Sequence, residues 1–364
     1  MIKKSLTKKY KINGPTNIFR LTNGKKIIYI IGDYHNDINE QTQCTYDNIE
    51  SIDIDKLLIK IFKKEKDKKF DIFYEFYYKK NINLSNYKKD SYILELYKLN
   101  NIEFINNKIQ ISKYFPNVRF HYFDIRETIS YINELYIIYK YFKYDLRDYP
   151  YFSNILYYIN NIMKKIVKLV TDFSDNLKLK NNIYINKLLS KYNNIDIQNS
   201  ILNIYSVYFI ELFDVIINIA NDTINYISNN NNLFNITTLE NNFQSQKPIF
   251  MNINKIIHYI DLLSIILTDL FLLRRLLDKD YTNNNIIYTG YNHFIDITYF
   301  LVKYFNFKIT HITDIQNINN INIDNIENEF NINYKNFDSL NYLRGIIDNP
   351  LQCVKIFHFP DNFS

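Results

Sequence analysis

Residues 26–35 read Lys-Ile-Ile-Tyr-Ile-Ile-Gly-Asp-Tyr-His, and residues 285–293 read Asn-Ile-Ile-Tyr-Thr-Gly-Tyr-Asn-His. In each, a β-branched apolar run predicts a buried strand that ends in the form Gly-x-x-His. With 5 Gly and 6 His in 364 residues, chance predicts only about 0.08 such spacings. Glycine is expected to let the chain turn sharply as it leaves each strand. Because α/β folds place their sites beyond the carboxyl ends of strands, the two motifs predict one shared site.

Further apolar runs extend this pattern in both directions. Two of them, 17–21 and 26–31, flank an Asn-Gly pair, which is typical of a β-hairpin. Further strands are predicted at 70–77, 118–125, 286–289 and 307–311, and helices at 53–64, 256–277 and 292–305. Strands that alternate with helices predict an α/β fold with a central, mainly parallel sheet and flanking helices.

The order of these elements predicts one composite domain over residues 1–364. Its sheet-forming parts are 1–127 and 281–313. Between them, 128–280 has apolar residues at three- and four-residue spacing and predicts a large, mostly helical insertion. Residues 314–364 form a C-terminal extension, of which 314–336 is predicted to be a loop or a strand. Residues 244–248 are also predicted to be a loop.

The composition excludes some functions and weakens others. Hydrophobic residues make up 47% and charged residues 23% of the chain, which excludes a wholly disordered protein. The net charge of +6 is a mild excess for this length, so no nucleic-acid partner is expected. The chain has 34 Tyr, 27 Phe and no Trp, and it is also rich in Asn, Ile and Lys. An AT-rich genome produces such a composition, because these residues have AT-rich codons. Runs of Tyr or Asn therefore carry no functional information here.

The compartment is predicted from the cysteines and the apolar stretches. Cys44 and Cys353 cannot form a framework of several disulfides, so we expect a thiol-reducing compartment. Cys44 is expected to be a packed thiol, with a nucleophile as the alternative. Residues 1–11 lack the apolar stretch of a signal peptide, and 256–277 contains charges at several depths, as a buried helix of a soluble protein does. We expect a cytoplasmic protein without a membrane span.

The candidate chemistry adds a carboxylate to the two motif histidines, His35 and His293. Glu75 lies in the apolar run Phe-Asp-Ile-Phe-Tyr-Glu-Phe, where a carboxylate is expected to be paired or functional. Two imidazoles and a carboxylate can bind a divalent metal and leave one position open for water. Such a metal lowers the pKa of its water. A structural alternative is two histidines that cap helices and one glutamate in an ion pair.

Two further residues are candidates for the same site. Arg126, two positions after Asp124, could pair with Glu75 or with Asp33, or could stabilise an oxyanion. Asp124 and Arg126 could equally form a simple ion pair. Asp33 is interpreted as a residue of the turn, with a ligand role as the alternative.

The paired Gly-x-x-His motifs, with a glutamate on a strand between them, resemble the TIKI/TraB group and its relatives, the erythromycin-esterase-like and ChaN-like proteins. The resemblance covers the two sheet-forming parts, which together have about the 150 residues of one typical domain. It leaves the helical middle and the C-terminal extension uncovered. It implies an α/β hydrolase in which His35 and His293 match the motif histidines and Glu75 the strand glutamate. Arg126 matches the arginine of the group, or Arg274 or Arg275 on the preceding helix takes that role.

The resemblance implies several possible cofactors. Members of the group use a divalent metal of the Mn, Co or Zn type, use a histidine as a base without a metal, or bind haem. We therefore expect a hydrolase of amide or ester bonds in peptides or small molecules, with His35, Glu75 and His293 as metal ligands or as direct acid–base groups. The alternative is a non-catalytic protein that keeps the fold to bind a metal, haem or a partner. The chain also resembles proteins of large DNA viruses with AT-rich genomes, which implies the host cytoplasm or the virion.

Overall fold

The computed structural model describes residues 10–35, 44, 50–77, 92, 95, 110–111, 114–125, 152–178, 189, 192–229, 243–278, 281–313, 326, 328–330, 343, 345, 352–356 and 359–360. The chain divides into two compact units, Met1–Asp124 with Leu272–Ser364, and Ile125–Phe271. The second unit lies within the predicted helical insertion for nearly its whole length. The single composite domain stays a prediction.

The described strands form two sheets. They are Tyr10–Asn13 (β1), Asn17–Thr22 (β2), Ile27–Asp33 (β3), Ser51–Asp53 (β4), Phe70–Tyr77 (β5), Gln110–Ile111 (β6), Val118–Asp124 (β7), Asn284–Gly290 (β8), Lys308–Ile312 (β9) and Cys353–Ile356 (β10). The large sheet has the order β6-β7-β5-β8-β3-β2-β9, and the small one β10-β1-β4. In the large sheet β7, β5, β8 and β3 are parallel neighbours. A mixed α/β fold with a mostly parallel sheet is therefore confirmed.

The register of this sheet brings the two motifs together. β2 and β3 form the predicted hairpin, and the backbone of Gly24 turns through a φ of +83° between them. β3 pairs with β8 so that Gly32 lies opposite Thr289 and Asp33 opposite Gly290. Both strands therefore deliver their Gly-x-x-His motifs to the same carboxyl edge.

The described helices belong to both units. They are Ile54–Lys64 (α1), Phe152–Lys178 (α2), Ile195–Ile204 (α3), Ile210–Asn229 (α4), Phe243–Leu277 (α5) and Tyr291–Phe305 (α6), with a π-helical turn at Tyr205–Phe209 between α3 and α4. α1 buries Leu57, Leu58 and Ile61 in the core that one face of the large sheet forms. This apolar row recurs at three- and four-residue spacing, as an amphipathic helix requires.

α6 begins directly after β8, and almost all of it is buried. Phe294 packs edge-on against Phe19 of β2, with ring centroids 4.8 Å apart. A Cβ added to Gly32 would lie 2.9 Å from Cγ of Phe294. The first motif glycine therefore provides space for a helix against the sheet, which is a different reason from the predicted sharp turn.

Three further expectations from the sequence concern helices. The loop predicted at 244–248 is wrong, because α5 starts at Phe243 and contains Pro248. Within the predicted loop 314–336, the described residues Ile326 and 328–330 are helical. Two described helical stretches, Ile195–Asn229 and Met251–Leu277, are long and apolar enough to span a membrane, and 44% and 72% of their most apolar windows are buried. Such burial is also typical of core helices, so the absence of a membrane span stays a prediction.

The small sheet was not predicted, and a disulfide lies beside it. β1 pairs antiparallel with β10, with Asn13 opposite Cys353, and parallel with β4. Cys353 forms a disulfide with Cys44 across 309 positions, with a Cα–Cα distance of 5.3 Å. The packed thiol expected at Cys44 is therefore wrong. Because disulfides are rare in reducing compartments, the bond also disagrees with the expected reducing environment, and the cytoplasmic localisation stays a prediction.

Removal of the disulfide by C353S is expected to lower the free energy of unfolding by about 2–4 kcal/mol, because the cross-link restricts the unfolded chain. Denaturant unfolding of the wild type, with and without a reductant, measures the effect. The double variant C44S/C353S is the control, since a reductant cannot weaken it further. Equal stability of the oxidised wild type and C353S would contradict a structural role for the bond.

Candidate functional site

The candidate site lies at the carboxyl edge of three neighbouring parallel strands, in the order β5-β8-β3. Glu75 comes from β5 and Asp33 from the end of β3, on either side of β8. Successive residues of a strand point to opposite faces of the sheet. The central strand, β8, can therefore donate hydrogen bonds to both carboxylates, from Tyr288 on one face and from Thr289 on the other.

Glu75 is the centre of the site. Its Oε2 accepts hydrogen bonds from the backbone N of Gly290 at 2.5 Å and from Oγ1 of Thr289 at 3.0 Å. The same oxygen lies 3.1 Å from Nε2 of His35, and Oε1 lies 3.3 Å from Nε2 of His293. Burial acts to raise the pKa of the Glu75 carboxyl, but the nearby imidazoles of His293 and His35 outweigh it and hold that pKa well below its usual range. Glu75 is thus a buried carboxylate between two histidines.

His35 lies between two carboxylates. Its Nδ1 is 2.8 Å from Oδ1 of Asp33, and its Nε2 is the atom that contacts Glu75. Burial acts to lower the pKa of the His35 imidazole, but the charges of Asp33 and Glu75 outweigh it and raise that pKa well above its ordinary value. An imidazolium has an N–H on each ring nitrogen, which matches two carboxylate acceptors. The side chain is 38% exposed, so this charged ring reaches solvent.

His293 contacts the other oxygen of Glu75. It is the third residue of α6, which follows directly from β8, and only 3% of it is exposed. Its ring packs against that of Phe123 of β7, with ring centroids 6.0 Å apart and planes nearly perpendicular. His293 is therefore an inner partner of Glu75, whereas His35 is the outer one.

The second motif glycine provides space for the His35 ring. Gly290 has a φ of −65°, which any residue adopts, so the predicted role in a sharp turn is wrong here as well. A Cβ at this position would lie 2.9 Å from Nε2 of His35 and 3.0 Å from Oε2 of Glu75. Glycine is needed because the contact between His35 and Glu75 runs directly over the backbone of β8.

The predicted metal ligands meet, but they contact one another directly. Among the described residues, no group of three or more His, Cys, Asp or Glu side chains could hold a metal ion. A histidine binds a metal through a lone pair of the neutral ring, and both ring nitrogens of His35 face carboxylate oxygens instead. The residues as placed do not fit a divalent ion. A bound metal, like bound haem, stays a prediction.

The predicted arginine cannot be placed, since Arg126 lies outside the described residues. Asp124 ends β7 and is buried. Arg275, one of the alternatives, donates from Nη1 to the carbonyl oxygen of Tyr122 at 2.7 Å, and its Nη2 lies 3.4 Å from Nδ1 of His121. Its described contacts are therefore with β7.

His121 belongs to a second polar network on the same strand pair. Its Nε2 lies 3.1 Å from Oδ1 of Asp71. Arg119 donates to both oxygens of Asp71 at 2.6 Å. Burial lowers the pKa of the His121 imidazole. The bidentate ion pair of Arg119 and Asp71 joins β5 to β7. This arrangement indicates a structural role for the network.

The sequence interpretation missed two residues of the site, Tyr288 and Thr289, and gave Asp33 a role in it only as an alternative. Asp33, interpreted as a residue of the turn, is fully buried and holds His35. Tyr288 donates to Asp33 Oδ2 at 2.7 Å, and Thr289 donates to Glu75. Their position in the sequence was the available signal. Tyr288 and Thr289 are the two residues before Gly290, on the strand that carries the second motif.

The variant G290A is expected to separate His35 from Glu75 and to lower the free energy of unfolding by about 1–3 kcal/mol, because an inserted methyl group overpacks the contact. Denaturant unfolding measures the loss. G345A is the matched control, since a Cβ at Gly345 meets nothing within 4 Å. If G290A were as stable as G345A, the close packing over β8 would be refuted.

Comparisons with known proteins give a family without an assigned activity. The chain matches the family of unknown function DUF5847 over residues 10–178 and 152–364. It is 29% identical to the uncharacterized protein R161 of Acanthamoeba polyphaga mimivirus, over 97% of this chain and 98% of that protein. To the uncharacterized protein R160 of the same virus it is 28% identical, over 100% and 99%. No solved structure matches the chain.

These comparisons bear on the two resemblances in different ways. The similarity to mimivirus proteins supports the predicted resemblance to proteins of large DNA viruses. A third relative, the uncharacterized protein R129 of that virus, is 36% identical over 33% of this chain and 76% of its own length. Neither the family nor the relatives support the TIKI/TraB resemblance. The family match spans nearly the whole sequence, and the chain is a member of the family of unknown function DUF5847.

Proposed function

We propose that Asp33, His35, Glu75 and His293 form the acid–base centre of a hydrolase that acts on an amide or ester bond. The observation that carries the proposal is the convergence of two motif histidines, 258 positions apart, on one buried carboxylate, with one ring open to solvent. Pairs of titratable groups whose pKa values are pushed apart are typical of acid–base sites. The resemblance of the motifs to the TIKI/TraB group is a second, weaker support.

The shifted pKa values suggest which of Glu75 and His35 is the base and which is the acid. Glu75, whose pKa is held low, is the base, and His35, whose pKa is raised, is the acid. A water molecule beside Glu75 and His35 gives a proton to Glu75, and the oxygen of that water attacks the carbonyl carbon of the substrate. The bond to the leaving oxygen or nitrogen breaks as His35 protonates that atom. Transfer of the proton from Glu75 to His35 then restores both groups, with an acid and an alcohol or amine as products.

The remaining residues hold these two groups in place. His293 contacts the Glu75 oxygen that Thr289 and Gly290 do not bind. Asp33 fixes the ring of His35 from the other side. Arg126 is proposed to stabilise the negative charge that develops on the carbonyl oxygen.

A second candidate, a non-catalytic protein that keeps the site as a structural clasp, is favoured by one observation. Both oxygens of Glu75 already have partners within the protein, and such saturation is what a buried structural carboxylate needs. In that case the site would serve to hold β3, β5, β8 and α6 together, and a partner or ligand would bind elsewhere.

The variant E75Q separates these candidates. An amide cannot accept the proton of water, so hydrolysis of a panel of chromogenic esters and peptide amides is expected to fall by about 10²–10⁴-fold. E65Q is the control, since it makes the same chemical change at Glu65, a half-buried residue outside the proposed centre that pairs with Lys68 at 3.0 Å. Equal turnover by the wild type and E75Q, or none by the wild type on any substrate, would support the clasp.

The pH dependence of kcat/KM is a further prediction. Activity requires an ionised Glu75 and a protonated His35. It is therefore lost at low pH only below the lowered pKa of Glu75, and at high pH only as the pH rises through the raised pKa of His35. We expect a plateau that continues well above the ordinary histidine pKa of 6.5. A profile that rises with pH through that value would show that neutral His35 is the active form, contrary to the assigned roles.

A further inference from the structure

Tyr288 is buried near the end of β8. Tyr288 and Asp33 both have an exposed fraction of 0%. The hydroxyl donates to Oδ2 of Asp33 at 2.7 Å. A fully buried carboxylate needs such donors, because no water replaces them.

The other oxygen of Asp33 holds His35 at two points. Oδ1 accepts from the backbone N of His35 at 2.5 Å and lies 2.8 Å from its ring Nδ1. His35 has a φ of +54°, a left-handed conformation that residues other than glycine rarely adopt. Asp33 therefore fixes both an unfavourable backbone and the direction of the ring.

We infer that Tyr288 is a positioning residue for His35. Its hydroxyl holds one oxygen of Asp33 so that the other oxygen faces the backbone and the ring of His35. Without the hydroxyl, the carboxylate can rotate, and the ring is no longer held above Gly290 toward Glu75. As a role in catalysis this rests on the proposed hydrolase function, whereas the link from Tyr288 to His35 can be measured without any substrate.

The neighbouring strand offers a matched control. Tyr74 of β5 pairs with Tyr288 in the sheet register and is 2% exposed. Among the described residues, its hydroxyl has no hydrogen-bond partner. Y74F and Y288F thus remove the same atom from adjacent buried positions, and only the second removes a contact to Asp33.

The experiment compares the full chain as wild type, Y288F and Y74F by NMR with ¹⁵N-labelled histidine at one neutral pH. The signal of the His35 Nδ1 proton, identified by its loss in H35N, is expected in the wild type and in Y74F, because its hydrogen bond protects it from exchange with water. In Y288F it is expected to broaden or vanish. On the best ester of the panel, Y288F is expected to reduce kcat on the order of 10²-fold and to leave KM unchanged, since the acid acts only in the transition state.

A His35 signal and a kcat in Y288F equal to those of Y74F would overturn the inference. If Y288F does not fold, D33N tests the link at its centre: an unchanged His35 signal overturns the inference, and loss of the signal supports the hold of Asp33 on His35 that the inference requires. If the wild type hydrolyses nothing, the hydrolase proposal fails, and the NMR signal alone decides whether Tyr288 positions His35.

Discussion

The buried carboxylate of Glu75 is the constraint on which the site depends. An ionised group away from water is stable only with hydrogen-bond donors or opposite charges around it, and loss of one partner of such a group typically costs about 3–5 kcal/mol. β8 supplies hydrogen-bond donors to Glu75, and each Gly-x-x-His motif supplies an imidazole. The need to satisfy this one charge ties the end of β5 to the end of β3, to β8 and to the start of α6.

The order of the strands makes this possible. β8 lies between the strands that carry the two carboxylates, and its last residues point alternately to the two faces of the sheet. Tyr288 can therefore hold Asp33 on one face while Thr289 holds Glu75 on the other. His35 joins the carboxylates across the edge, and Gly290 leaves the space for its ring. A local sequence of three residues thus organises charges from two other strands.

Much of this arrangement could be predicted from the sequence, because apolar runs and glycines carry physical meaning in a chain with so few glycines. The runs predicted β3, β5 and β8, and the motifs placed His35 and His293 beside Glu75. The role of Tyr288 beside Asp33 was not predicted, because a tyrosine in an apolar run is also typical of a core residue. β1 and β10, which are four residues each and pair across the whole chain, were not predicted either, because strands this short give too little periodic signal.

The central claim is that Glu75 is an ionised carboxylate bound to a protonated His35. A neutron crystal structure of the fully deuterated protein at neutral pH would locate the deuterons directly. The account predicts deuterons on both ring nitrogens of His35, none on Glu75, and contacts from Glu75 to both motif histidines. A neutral His35 ring, or a Glu75 carboxyl turned away from either histidine, would contradict it.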